Sequence, residues 1–158
     1  MAEVRSVAII GAGTMGNGIA QTCSMAGLEV ALVDMQESFL QRGVDNVKTS
    51  LARFVKSQKL TQEQADAVVK RIRATTSLKE AVGGADVVIE VVPEKLELKQ
   101  SVFKDIAAAA RPGTVLATNT SQLSITAIAS AIDRPQDVIG MHFFNPPVMM
   151  RLVEVVRG

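Results

Sequence analysis

The chain's histidine, His142, stands in Gly140-Met141-His142-Phe143-Phe144-Asn145-Pro146-Pro147, after an apolar run and before a rigid turn. An imidazole titrates near neutrality, so at the carboxyl end of a strand, where open α/β sheets bind their ligands, it suits general acid or base work. By type alone, a single histidine beside two phenylalanines is more often a satisfied structural residue, and its place at a strand end raises the catalytic reading. Asn119-Thr120-Ser121 follows the apolar run 115–118 and falls at the same sheet edge. On local grounds either Ser121 or Ser124 could instead cap a helix beginning at Ile125. Glu154 lies between Val153 and Val155. Strand alternation turns it to solvent, or inward to hold His142.

A second constellation lies near the N-terminus. Val7-Ala8-Ile9-Ile10 reads as a buried strand, Gly11-Ala12-Gly13-Thr14-Met15-Gly16 as a glycine-rich turn opening a helix, and Glu29-Val30-Ala31-Leu32-Val33-Asp34 as a strand closed by an acid 18 residues after Gly16. In that context G-x-G-x-x-G is a dinucleotide fingerprint. Gly11 permits the turn, Gly13 lets a pyrophosphate approach the backbone, and Gly16 lets the helix pack close. The helix start at Gly13, Thr14 and Met15 offers unpaired N–H groups to phosphate. Asp34 can accept the adenosine ribose hydroxyls and would repel a 2′-phosphate. No arginine follows it directly, which favours NAD over NADP.

These groups need a frame. Apolar runs alternating with helical periods predict an α/β architecture with a mainly parallel sheet. Strands are expected at about 5–10, 29–33, 72–75, 86–92, 114–118, 138–142 and 152–156. Phe39, Leu40, Val44, Val47, Leu51, Phe54 and Val55 recur at helical spacing over 36–58. Thr61 and Gln64 form a capping box for a helix reaching about Arg71, and this pair of helices is long enough to project as an arm. Ser77 caps a small helix; further helices are expected over about 95–110 and 124–131.

Composition excludes several roles. Net charge is +1 without a basic cluster, aromatic content is 3%, and Trp and Tyr are absent, so neither duplex nor single-stranded nucleic acid is an expected partner. One cysteine and one histidine give no metal-ligand spacing, and Cys23 reads as a helix–sheet packing residue. No uninterrupted apolar run is long enough to span a membrane, and no signal peptide is evident, so a soluble, cytoplasmic protein is expected.

Four segments together resemble the NAD-binding domain of the L-3-hydroxyacyl-CoA dehydrogenases, including bacterial 3-hydroxybutyryl-CoA dehydrogenases: residues 7–16, Val88-Ile89-Glu90-Val91-Val92-Pro93-Glu94, Asn119-Thr120-Ser121, and 140–147 with 152–156. The resemblance covers essentially the whole chain. It departs at Val148 and Arg151, where many members carry proline and lysine. It implies a Rossmann-like, doubly wound sheet with a helical arm over about 36–72, residues 1–158 forming the NAD-binding domain, and a C-terminal helical domain of the family absent from this sequence. Carried over by position, His142 is the base, Glu154 its partner acid, and Ser121 and Asn119 the contacts to substrate and nicotinamide. Asn145 supports the site, Asp34 binds ribose, and Glu94 and Lys99 line the cofactor site. Ser50 and Lys56 meet the CoA of an acyl-CoA substrate. The implied reaction is reversible NAD-dependent oxidation of 3-hydroxyacyl-CoA to 3-oxoacyl-CoA. The alternative is an NAD-binding module without turnover of its own. Self-association, or a partner chain supplying the helical domain, is expected.

Overall fold

A computed structural model of the chain describes residues 3–158. Seven strands make one sheet: β1 (Ser6–Ile10), β2 (Glu29–Val33), β3 (Ile72–Thr75), β4 (Val87–Glu90), β5 (Val115–Thr118), β6 (Val138–Phe143) and β7 (Val153–Arg157). Their order is β3-β2-β1-β4-β5-β6-β7, parallel throughout except for the antiparallel β6–β7 pair. Strand order reverses at β1, between β2 and β4, so a crevice opens beyond the carboxyl ends of β1 and β4.

Six helices cover the faces: α1 (Thr14–Met25), α2 (Glu37–Lys56), α3 (Gln62–Lys70), α4 (Leu78–Gly83), α5 (Leu96–Ala109) and α6 (Ile125–Ala129). Alternation along β1 divides the core. Val7 and Ile9 pack with Ile19, Ala20 and Leu40 of α1 and α2. Ala8 and Ile10 pack with Phe103, Ile106 and Ile128 of α5 and α6. Ile9, Leu32 and Phe103 are completely buried, each contributing about 1.5–3 kcal/mol of hydrophobic stabilisation.

The first half of α2 lies on the sheet layer, where a Cβ on Gly43 would stand 3.0 Å from the Ala12 carbonyl oxygen. Its second half joins α3 around a separate small core of Val47, Leu51, Ala65 and Val68. The buried Ser24 hydroxyl of α1 ties α3 in by donating to the Val68 carbonyl at 2.7 Å. The Thr61–Gln64 capping box and the Ser77 cap both form.

Two elements are shorter than their patterns predict. Regular pairing in β4 ends at Glu90, because the Val92 N–H is captured by Glu90 Oε1 at 2.7 Å. The helix expected over 124–131 contains only Ile125–Ala129, with Ser124 Oγ accepting the Ala127 N–H. Ser124 is therefore the cap, and Ser121 is released from that role. Among the described residues, no helix is long and apolar enough to cross a membrane.

Candidate active site

The glycine loop connects β1 to α1. Gly11 has φ +114, a value that L side chains rarely adopt, and a Cβ there would lie 2.7 Å from the Val91 carbonyl oxygen. A Cβ on Gly16 would meet the Gly11 oxygen at 1.8 Å, whereas one on Gly13 would meet nothing within 4 Å. The two outer glycines are thus demanded by the fold. The middle one keeps the space before the helix N-terminus clear. No acidic side chain in the first turn of α1 competes for that positive end. Asp34, closing β2, accepts the Ala12 N–H at 2.9 Å through Oδ2, so it also clamps the loop.

In front of the loop lies a cavity of about 1500 Å³ that runs from Asp34 past Gly13 and Glu94 to Asn119, Ser121 and His142. The open approach to Gly13, the free helix end and the acid at Asp34 fit a dinucleotide with an unphosphorylated ribose.

At the far end, β6 and β7 set the histidine. Their register pairs His142 with Glu154, and His142 Nδ1 lies 2.9 Å from Glu154 Oε2. Glu154 therefore turns toward the histidine. An ionised carboxylate can only accept, so Nδ1 donates across this contact, and in the neutral imidazole Nε2 is left as the acceptor. The Phe144 ring lies 4.6 Å from the imidazole, restricting it further. The His142 side chain is 22% exposed and Glu154 54%, a pair at the lip of the cavity. Asn119 Oδ1 accepts the Phe143 N–H at 2.8 Å, joining the end of β5 to the end of β6.

Glu94 holds the turn between them. Its carboxylate accepts the Thr120 hydroxyl and, at 3.2 Å, the Ser121 N–H. Burial alone would raise this carboxyl. The Thr120 hydroxyl, the Lys99 ammonium and the Ser121 N–H outweigh that and hold it below the ordinary carboxylate range.

Thr14, Met15 and Asn145 also line the main cavity. Ser50 does not. It faces a separate pocket of about 290 Å³ between α1, α2 and the Asn145–Pro147 turn, together with Arg53. Lys56 lines neither pocket and is exposed on the last turn of α2. Lys99 forms part of the cavity wall, but only 1% of its side chain is exposed and its ammonium pairs with Glu90. Sequence reasoning missed Glu90, Thr118 and Arg53. The signal for Glu90 was an acid inside a wholly apolar strand run, where alternation offers no solvent face.

The chain matches the family model described as 3-hydroxyacyl-CoA dehydrogenase, NAD binding domain, over residues 6–158. It is 44% identical over 158 residues to the 3-hydroxyadipyl-CoA dehydrogenase of Escherichia coli (strain K12), covering 100% of this chain and 33% of that one. It is 43% identical over 156 residues to the probable 3-hydroxybutyryl-CoA dehydrogenase of Bacillus subtilis (strain 168), covering 99% and 54%. The crystal structure of (S)-3-hydroxybutyryl-CoA dehydrogenase from Ralstonia eutropha superposes with a TM-score of 0.96 at 43% identity, covering 99% of this chain and 55% of that one. The chain thus spans between a third and about half of the length of these relatives. With the glycine loop, the Asp34 clamp and the His142–Glu154 pair on one cavity, and a family match over nearly its whole length, the chain belongs to the NAD-binding domain family of the 3-hydroxyacyl-CoA dehydrogenases.

Proposed function

We propose that this chain carries the site for reversible oxidation of a 3-hydroxyacyl-CoA to the 3-oxoacyl-CoA. The observation that supports this most directly is the His142–Glu154 contact of 2.9 Å at the mouth of a cavity that also holds the glycine loop and Ser121. Bound NAD supplies the acceptor for the hydride leaving C3. His142 Nε2 takes the proton of the 3-hydroxyl as the C–O bond gains its double-bond character. Glu154 orients the ring through Nδ1 and faces the resulting imidazolium with an opposite charge. Ser121 donates to the reacting oxygen, Asn119 presents its amide to the cavity, and Asn145 supports the site. Ser50 and Lys56 are read as contacts for the CoA portion. Glu94 and Lys99 are read as the wall of the nicotinamide site, and Asp34 as the ribose ligand.

One observation favours a second reading, an NAD-binding module without turnover of its own. Every residue of β7 is exposed, including Val155 at 64% and Val156 at 47%, so the reacting end of the cavity is open to water. The same apolar face supports self-association or cover by a partner chain supplying helices, which sedimentation would reveal. The reading also takes the protein to be cytoplasmic, which cell fractionation checks.

NADH oxidation with acetoacetyl-CoA tests the main reading. The parent chain should turn over, and His142→Ala should fall by about 10²–10⁴-fold while still binding NADH. NADH binding by both without turnover by either would establish the module instead.

A further inference from the structure

An arginine reaches the cofactor cavity from α2, eight residues after Asp34. Arg42 lines that cavity together with Gly13, Asp34 and Phe39. Residues three apart share a helix face, and the guanidinium carbon of Arg42 lies 5.5 Å from the centre of the Phe39 ring. The next residue, Gly43, is buried against the Ala12 carbonyl, which fixes this turn of α2 beside the glycine loop. Among the described residues Arg42 forms no ion pair, with Asp34 or with any other acid.

The glycine loop has a use for such a group. Each phosphate of a dinucleotide carries a negative charge, while the start of α1 offers only uncharged N–H donors. Neither an acid nor a base stands in the first turn of that helix. A guanidinium held over an aromatic ring keeps its N–H edge for a ligand, and its fork matches phosphate oxygens.

We propose that Arg42 is a binding residue for the cofactor pyrophosphate, with Phe39 as the platform that holds its guanidinium in place. The loop's N–H groups fix where the phosphates sit, and Arg42 supplies the opposing charge. Asp34 faces the ribose, so the same arginine does not turn the chain toward a 2′-phosphate. The inference rests on NAD occupying the glycine loop and needs no turnover of substrate.

Fluorescence titration of the parent, Arg42→Met and Arg42→Lys chains with NADH and NADPH tests it. Arg42 is exposed, so these variants keep the fold, which equal thermal midpoints without cofactor check. NADH affinity should fall about tenfold in Arg42→Met and about threefold in Arg42→Lys, which keeps the charge and loses the fork. NADH affinity should also depend less on salt in Arg42→Met, because one screened charge pair has gone. Affinity for NADH within about twofold of the parent overturns the proposal. If NADPH affinity alone falls, the guanidinium serves a 2′-phosphate, and the proposal is overturned in that way. A tenfold loss of NADH affinity with unchanged salt dependence also overturns it, since Arg42 would then meet the neutral adenine or ribose. Phe39→Leu should weaken NADH about threefold in the parent and change nothing in Arg42→Met, where the platform holds no cation. A loss of the same size in both backgrounds overturns the platform. A parent that binds neither cofactor fails the cofactor reading and this proposal together, whereas a parent that binds NADH no better than Arg42→Met fails this proposal alone.

Discussion

Asn119 Oδ1 accepts the backbone N–H of Phe143 at 2.8 Å, so the residue after β5 holds the strand end that carries His142. One side chain thus works in two directions: its oxygen is a strap, and its amide nitrogen remains for the cavity. Asn119→Ala leaves a partly buried N–H unpaired and should cost about 1–3 kcal/mol in denaturant unfolding. Asn119→Asp keeps the acceptor and removes the donor. It should retain the parent's stability but lose turnover, which separates the strap from the contact.

Gly13 and Gly16 are three residues apart and should respond oppositely to one methyl group. Gly16→Ala drives a Cβ to 1.8 Å from the Gly11 oxygen, a backbone atom that cannot give way, and should cost at least about 3 kcal/mol. Gly13→Ala meets no protein atom within 4 Å. Its stability should stay within about 1 kcal/mol of the parent, since a poorer cap offsets a stiffer unfolded chain. NADH titration should nevertheless show affinity reduced at least about tenfold, because the methyl occupies the pyrophosphate's approach.

Glu154→Gln tests the carboxylate at nearly constant shape. The amide can still sit beside Nδ1 but brings no charge to the imidazolium. Turnover should fall about 10²-fold, less than the ~10⁴ of a buried triad acid, because Glu154 is half in water. NADH affinity, read by fluorescence titration, should be unchanged.

Asp86 joins the starts of β1 and β4. It accepts the Arg5 N–H at 2.9 Å, the Ser6 hydroxyl at 2.9 Å and the Ser6 N–H at 3.0 Å. Those three bonds, the Arg5 N–H foremost, with the Arg111 guanidinium adding to them against slight desolvation, hold its carboxyl below the ordinary 3.8. The native state therefore binds this proton less readily than the unfolded chain. The stabilisation is complete above the ordinary value and is lost as pH falls through the lower native one. Glu94, also lowered, acts in the same sense below its ordinary 4.5. Thermal midpoints should decline below about pH 4.5, and Asp86→Asn should flatten the decline.

Cys23 is buried in α1 against the sheet, and desolvation pushes its thiol up to about 11. A thiol reagent at pH 8 should label the native chain slowly and the denatured chain at once.

Much of this was legible locally. The glycine loop, the Thr61–Gln64 box and the Ser77 cap depend on residues within a few positions of one another, so their types and spacing carry the geometry. The alternation of strands and helices predicted a mainly parallel sheet for the same reason. Where local pattern allowed two answers, a bond only three residues long made Ser124 the cap, whereas Glu154 was turned by its contact with His142 on the neighbouring strand.

The sequence by itself determined the element types, the dinucleotide loop and the set of polar residues at the strand ends. Only the tertiary structure decided the strand order, the antiparallel return of β7 and the encounter of Glu154 with His142, 12 residues away. The reason is register. Side chains alternate along a strand, so a slip of one residue between β6 and β7 would send Glu154 to the opposite face from His142. The same holds for Glu90 and Lys99, which meet only because α5 packs back over the end of β4. Types and spacings list the groups that can react, and the packing of the sheet selects which of them touch.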